Sequence, residues 1–120
     1  MIPLRLGKKR HKHNAVPLNV DGHHFDSTVE AMRYGTLAIL LRAGQITELV
    51  VHPVYPITIN KQRVCVVELD FSYRDEKGLP RVEDVKGQDT ALSKLKRKMV
   101  EAAYGFEVSI IKIKRRSKKR

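Results

Sequence analysis

The chain has little sulfur and few aromatic rings. Its 120 residues include one cysteine, Cys65, no tryptophan and 6% aromatic residues. A single cysteine excludes an internal disulfide and indicates a reducing compartment. Cys65 lies in a predicted strand, so we expect it to pack in the core rather than to act as a nucleophile. No apolar run is long enough for a membrane span, and the apolar start Met1–Leu4 is too short for a signal peptide. We therefore expect one small cytoplasmic domain.

Two common site signatures are also missing. The seven glycines form neither a Walker A loop nor a G-x-G-x-x-G pattern, so no nucleotide-binding signature is present. The histidine pairs, His11 with His13 and His23 with His24, lack the further ligands that a zinc site needs. We favour a loop position, or added charge near a polyanion, for these histidines.

Acidic residues are absent from both ends of the chain. The net charge is +11, and residues 5–13 and 112–120 together hold 12 of the 24 lysines and arginines without one acid. The intervening residues are close to neutral. Basic segments of this kind bind polyanions by neutralising phosphates, without reading sequence. Nucleic acid is a better match than a membrane surface, because the segments carry neither a lipidation signal nor an apolar face.

Acids stand on two strands that are predicted to pair. Residues 64–73 and 80–87 read as strands around the turn Asp75-Glu76-Lys77-Gly78. Alternation puts Asp84 and Lys86 on one face and Glu83 on the other. If Asp70 lies opposite Asp84, the two acids and a backbone carbonyl, that of Val85, suffice to hold Mg²⁺ or Mn²⁺. The alternative is a surface cluster of ion pairs.

Two helices flank these strands. The first is predicted from about Thr28 to Ala43, with Ser27 and Glu30 as a capping box and Gly44 as its stop. Glu30 is either only the capping partner or a third carboxylate near the metal. The second helix is predicted to begin after an N-cap at Asp89 or Thr90 and to run to about Ala103, before Gly105. Its basic residues form either a solvated face or a phosphate-binding face; they are Lys94, Lys96, Arg97 and Lys98.

The order of these motifs resembles a known superfamily. Small phage and prophage proteins of the PD-(D/E)xK nuclease superfamily share the layout, as do Holliday-junction resolvases and transposon end-cleaving endonucleases. The matching segments are Phe25-Asp26-Ser27-x-x-Glu30, Leu41-Arg42-Ala43-Gly44-x-Ile46, Leu69-Asp70-Phe71-x-Tyr73 and Val82-Glu83-Asp84-Val85-Lys86-Gly87. Leu69 stands where the superfamily name has proline, a position that varies among its members.

The resemblance implies roles for four residues. Asp70 matches the first acid, Asp84 the (D/E) and Lys86 the lysine, while Glu30 matches the carboxylate of the first helix. It implies a Mg²⁺-dependent endonuclease, with Mn²⁺ as a substitute, that cleaves branched DNA to a 5′-phosphate and a 3′-hydroxyl. It also implies a homodimer and a phage or prophage origin. Glu83 stays open as an alternative second metal ligand.

The expected fold is α/β, with a restriction-endonuclease-like core of four or five mixed strands flanked by two helices. Residues 17–25 are expected to form a short strand or hairpin, and strands at 55–59 and 63–73 to pair around Asn60-Lys61-Gln62. The expected boundaries are a basic arm at 1–14, a nuclease domain at 15–113 and a basic tail at 114–120. The expected DNA contacts are Lys8, Lys9, Arg10, Lys12, Lys94, Arg97, Lys98, Lys114, Arg115 and Arg116.

Two function classes remain open at this point. The first is a structure-selective endonuclease, and the second is a basic nucleic-acid-binding module that keeps the fold without catalysis. The intact set of Asp70, Asp84 and Lys86 favours the enzyme, because a binding module has no need of paired acids beside phosphate.

Overall fold

A computed structural model describes residues 18–112 of the chain. The two helices are α1 (Thr28–Arg42) and α2 (Ala91–Tyr104). The strands are β1 (Leu18–Val20), β2 (His23–Phe25), β3 (Thr47–Val51), β4 (Val54–Ile59), β5 (Gln62–Glu68), β6 (Phe71–Arg74), β7 (Pro80–Val85) and β8 (Val108–Ile111). Within this part of the chain, neither helix is long and apolar enough to cross a membrane.

A mixed four-stranded sheet in the order β3-β6-β7-β8 organises the domain. β6 is antiparallel to both β3 and β7, and β7 is parallel to β8, which the chain reaches through α2. β1 with β2, and β4 with β5, form separate two-stranded sheets. The prediction of an α/β fold with a mixed four-stranded sheet and two helices is therefore confirmed.

The predicted strand over residues 63–73 is wrong in one respect, because it is two strands. β5 pairs with β4, whereas β6 pairs with β7 in the larger sheet. The chain changes its partner strand at Leu69 and Asp70. The Leu69 N–H donates to the Pro53 carbonyl at 3.0 Å, and the Asp70 N–H donates to the Glu83 carbonyl at 3.2 Å. The chain leaves one sheet for the other at the predicted metal ligand.

Both helices have the caps that the sequence predicts. Ser27 accepts from the Glu30 N–H at 3.2 Å at the start of α1, and Thr90 accepts from the Ser93 N–H at 3.1 Å at the start of α2. Gly44 and Gly105 follow the helices with φ of 77° and 78°, a left-handed conformation that glycine adopts without strain. Both helices thus begin and end within about two residues of their predicted limits.

The core has two parts, one on each side of the large sheet. Phe25, Leu37 and Phe71 are fully buried with α1, whereas Val67 and Val100 are fully buried with α2. Burying a side chain of this size stabilises the fold by about 1.5–3 kcal/mol. Cys65 is buried in the second cluster as a free thiol, so its predicted packing role is confirmed.

Candidate active site

A cleft of about 500 Å³ opens where the ends of several elements meet. α1, β7 and the β5–β6 junction each contribute an acid to its wall, and β3 and α2 contribute basic residues. The predicted site residues in its lining are Glu30, Asp70, Asp84, Val85 and Lys86, and His24, Asp26, His52, Glu68 and Lys96 also line it. The structure therefore brings the four predicted catalytic residues into one cavity.

The register of β6 and β7 puts two of these acids side by side. Phe71 lies opposite Glu83, so Asp70, one residue earlier, falls opposite Asp84, one residue later. Phe71 faces the α1 side of the sheet, and alternation turns Asp70 and Asp84 toward the other side. The sequence left this register open between Glu83 and Asp84, and the structure selects Asp84.

The backbone around Asp70 fixes the orientation of its carboxylate. Its Oδ2 accepts from the Val85 N–H at 2.7 Å, and its carbonyl accepts from the His52 N–H at 2.9 Å. The side chain is only 5% exposed. Hydrogen bonds from rigid strands hold this carboxylate at one position on the cleft wall.

Asp84 lies between two cations. Its Oδ2 is 3.3 Å from Lys86 Nζ and 3.2 Å from Arg97 Nη1. Asp84 and Lys86 therefore share a face, as the strand alternation predicted.

Arg97 differs from its predicted role as a DNA contact. It is 7% exposed and forms two hydrogen bonds to Asp89, at 2.9 and 2.7 Å, in addition to its contact with Asp84. Hydrogen bonding to Asp89 raises the pKa of Arg97, and the same contact lowers the pKa of Asp89. Helical periodicity turns Arg97 inward beside Val100, so its charge orients acids instead of facing solvent.

Glu30 enters the cleft from the first turn of α1. Its backbone N–H donates to Ser27 Oγ in the helix cap, and its side chain is 9% exposed. The Oε2 atom is 3.6 Å from His52 Nε2. The structure thus places the Glu30 backbone at the helix cap and its carboxylate beside Asp70, so Glu30 is more than a capping residue.

His52 is a site residue that the sequence analysis missed. It follows β3 directly, with a left-handed φ of 57°, and one ligand atom each from Glu30, His52 and Asp70 lie within 4.8 Å of one another. It belongs to no recognisable motif, because it is a lone histidine before Pro53 and is distant in sequence from the paired histidines. Only the pairing of β3 with β6, Val51 opposite Phe71, brings it to Asp70.

Glu83 lies on the opposite face and is closed off from this site. Both of its oxygens bind Arg33, at 2.7 and 2.5 Å, and Tyr73 donates to it. The contact raises the pKa of Arg33, and burial together with the Glu83 hydrogen bond raises the pKa of Tyr73 to about 12. This placement argues against Glu83 as the second metal ligand.

The remaining predicted DNA contacts divide into two groups. Lys94 and Lys98 are exposed on α2, and Lys96 lines the cleft between them and the acids. The predicted contacts in the two terminal segments lie outside the described residues; they are Lys8, Lys9, Arg10, Lys12, Lys114, Arg115 and Arg116. The predicted limits of the basic arm and tail also fall there.

Sequence comparison assigns almost the whole chain to one protein family. Residues 10–119 match the family described as "Protein of unknown function (DUF1064)", and the chain belongs to it. No curated protein and no solved structure matches the chain significantly. Its function therefore has to be inferred from the cleft itself.

Proposed function

We propose that the protein is a metal-dependent DNA endonuclease that acts on branched DNA. The observation that carries the proposal is the convergence of Glu30, Asp70, Asp84 and Lys86 from separate elements on one cleft. Glu30, Asp70 and Asp84 are 7%, 5% and 5% exposed. Burying several carboxylates is costly unless positive charge accompanies them, and a divalent cation supplies it.

The donor set of the cleft fits such a cation. Asp70, Asp84 and the Val85 carbonyl are its proposed ligands, with Glu30 binding directly or through water. A bound divalent metal would lower the pKa of a coordinated water and offset charge on the scissile phosphate. Lys86, held beside Asp84, orients the attacking water or stabilises the phosphorane. The proposed products are a 5′-phosphate and a 3′-hydroxyl.

Positive charge near the cleft supports DNA as the substrate. Lys94 and Lys98 are exposed on α2, and Lys96 reaches the cleft wall. The net charge of +11 provides a further sequence-independent attraction for phosphate. We also propose a preference for branched DNA and a homodimeric state. Both rest on the resemblance to junction resolvases.

One observation favours a second function, a nucleic-acid-binding module without catalysis. Arg97 and Lys86 both lie within 3.3 Å of Asp84 and offset its charge without a metal. Under this alternative, the acids would be structural partners of the two cations. The presence of Glu30 beside Asp70 argues for the enzyme, because the two ion pairs of Asp84 do not account for these two further acids in the cleft.

Cleavage of labelled DNA separates the two functions. A labelled four-way junction and a linear duplex of the same sequence would each be incubated with the full chain and Mg²⁺ or Mn²⁺, then with EDTA. We expect metal-dependent cleavage that is faster on the junction than on the duplex, and no cleavage of either DNA with EDTA. High-affinity binding of the four-way junction, without cleavage at any metal concentration, would support the binding module instead.

The basic tail offers a separate test of DNA as the partner. Deleting residues 114–120 removes six lysines and arginines. If each contacts one phosphate, the slope of log affinity against log salt falls by about 5, from about 0.9 per phosphate. An unchanged slope would mean that the tail does not contact DNA. Cleavage at saturating DNA should survive the deletion.

A further inference from the structure

The cleft contains a nitrogen donor that the endonuclease proposal does not use. We propose that Glu30, His52 and Asp70 bind a single divalent metal, and that the His52 imidazole makes this site prefer Mn²⁺ over Mg²⁺. This metal would be the cofactor of the proposed nuclease. Only its use in cleavage rests on the proposed function. Metal binding itself can be measured without DNA.

The spacing of the three residues fits one ion. One ligand atom from each lies within 4.8 Å of the other two. In octahedral geometry with bonds of 2.0–2.1 Å, opposite ligands lie about 4.2 Å apart and adjacent ligands about 3 Å apart, so the side chains need to close by up to about 2 Å. The fold therefore brings the three donors together, and side-chain movement completes the site.

Each of the three residues is held by a different part of the backbone. The Ser27 cap fixes the first turn of α1 and with it Glu30, and the Val85 N–H orients Asp70. The backbone N–H of His52 donates to the Asp70 carbonyl oxygen, and His52 has a left-handed φ of 57°. A left-handed non-glycine residue is uncommon, and histidine tolerates it better than most. This conformation sets the direction from which the imidazole enters the cleft.

The chemistry of the donors decides which metal the site prefers. Mg²⁺ binds oxygen and keeps several waters, whereas imidazole nitrogen suits first-row transition metals. Mn²⁺ accepts the two carboxylates as Mg²⁺ does and tolerates a nitrogen in addition. One imidazole among two carboxylates therefore shifts the preference from Mg²⁺ toward Mn²⁺.

The charges beside Asp84 argue for one ion rather than two. Arg97 Nη1 and Lys86 Nζ lie 3.2 and 3.3 Å from Asp84 Oδ2, where a second ion would have to bind. Arg97 is buried and held by two hydrogen bonds to Asp89. A second divalent cation on the Oδ2 side of Asp84 would meet these two positive charges directly, so one ion is expected per chain. Asp84 would coordinate that same ion through its other oxygen, Oδ1.

Electron paramagnetic resonance of Mn²⁺ tests the inference on the full chain without DNA. We expect one Mn²⁺ per chain, displaced by Mg²⁺ only at a higher concentration. Pulsed measurements on the bound Mn²⁺ should show coupling to ¹⁴N. Equal affinity for the two metals, two equivalent sites, or bound Mn²⁺ without nitrogen coupling would each overturn the inference, and none of these requires a variant.

His52→Asn removes the imidazole and keeps a residue that tolerates the left-handed backbone. Changing even an outer partner of a metal ligand costs about 10–100-fold in affinity, so losing a ligand should weaken Mn²⁺ binding by at least that factor. The affinity for Mg²⁺ should fall less, so the ratio of Mn²⁺ affinity to Mg²⁺ affinity decreases. Unchanged Mn²⁺ affinity in this variant would overturn the inference.

His24→Asn is the matched control. His24 lines the same cleft, but its ring contacts Asn19 and Asp26 and its side chain is 57% exposed. We expect Mn²⁺ binding to be unchanged; an equal loss here would assign the nitrogen to His24 and overturn the role of His52. Wild-type-like cleavage by His52→Asn at limiting Mn²⁺ would overturn this inference and leave the nuclease. Mn²⁺ binding as described without cleavage of any DNA would do the reverse.

Discussion

Glu83 and Asp84 are neighbours on β7, yet they lie in different chemical surroundings. Glu83 faces α1, where Arg33 binds both of its oxygens and Tyr73 donates a further hydrogen bond. Asp84 faces the cleft with Asp70, where Arg97 and Lys86 approach it. Both acids are buried, at 2% and 5% exposed.

The contrast shows that burial alone does not identify a functional acid. The partners of Glu83 form a closed set of donors, which links α1 to the sheet and leaves no access from the cleft. Asp84 and Asp70 share a face and line a cavity, where like charges accumulate and a cation is favoured. The Glu83 set therefore stabilises the fold, whereas the Asp84 set is available for chemistry.

Removing a cleft acid should give the largest effect. We expect Asp70→Asn or Asp84→Asn to abolish cleavage, because each removes a proposed metal ligand. DNA binding should be intact or tighter, since a negative charge near phosphate is lost. The free energy of unfolding without metal should be unchanged or higher for Asp70→Asn, because like-charge repulsion is relieved. It should fall for Asp84→Asn, because the buried Arg97 loses an anionic partner. Labelled-junction cleavage, gel shifts and urea denaturation measure the three quantities.

Glu68→Gln is the control for this pair. Glu68 is an exposed acid of β5 that lines the same cleft but lies outside the proposed ligands. Its substitution should leave cleavage within about twofold, because an exposed charge adds little. Metal-dependent cleavage that persists in both aspartate variants would contradict the assigned site.

Lys86→Ala should have the next largest effect. Its Nζ lies beside Asp84. Under the proposed function, charge would develop there on the reacting phosphate, and removing one such stabilising group costs about 10²–10³ in rate. DNA affinity should change much less. Lys94→Ala, an exposed lysine on α2, is the control and should weaken binding without changing the rate at saturating DNA. If Lys86→Ala instead weakens binding tenfold with turnover intact, Lys86 is a docking residue.

Local signals explain how much of this contrast the sequence could predict. Helix limits followed from Ser27, Thr90, Gly44 and Gly105, because capping and left-handed stops are properties of neighbouring residues. Strand alternation separated Glu83 from Asp84 for the same reason. The turn at residues 75–78 was also predictable, and Gly78 indeed has a φ of 78°.

Tertiary pairing explains what the sequence could not predict. The break between β5 and β6 depends on which sheet each half joins, and Leu69 and Asp70 carry no local mark of it. His52 reaches the cleft only through the pairing of β3 with β6. Arg97 belongs to a charged run that looks solvated, and its turn toward Asp84 depends on how α2 packs.

Glu83→Gln should have its effect on stability instead of catalysis. Breaking a buried ion pair costs about 3–5 kcal/mol, and the partly exposed Arg33 places this pair at about 3 kcal/mol. Folded protein should still cleave junction DNA at a rate within about an order of magnitude of wild type. Urea denaturation and single-turnover cleavage at low temperature measure the two effects. If cleavage is lost in fully folded protein, the two faces of β7 are not separate and the contrast fails.

Tyr73→Phe should give the smallest effect and refine the account of the Glu83 face. A hydrogen bond to a charged group contributes about 1.5–3 kcal/mol, so its loss should cost about 1.5 kcal/mol of unfolding free energy. In the Glu83→Gln background the same change should cost about 1 kcal/mol less, because the acceptor is then neutral, and a double-mutant cycle measures this coupling.

The pH dependence of Tyr73 follows from its burial and from the same contact with Glu83. Its folded pKa of about 12 lies above the ordinary value of 10.0, so the protonated phenol stabilises the fold. This contribution is fully present below about pH 10 and is lost as the pH rises through about 12. The difference in unfolding free energy between wild type and Tyr73→Phe should therefore shrink across that window. A difference that stays constant to pH 12, or zero coupling in the cycle, would mean that Tyr73 packs beside Glu83 without stabilising its charge.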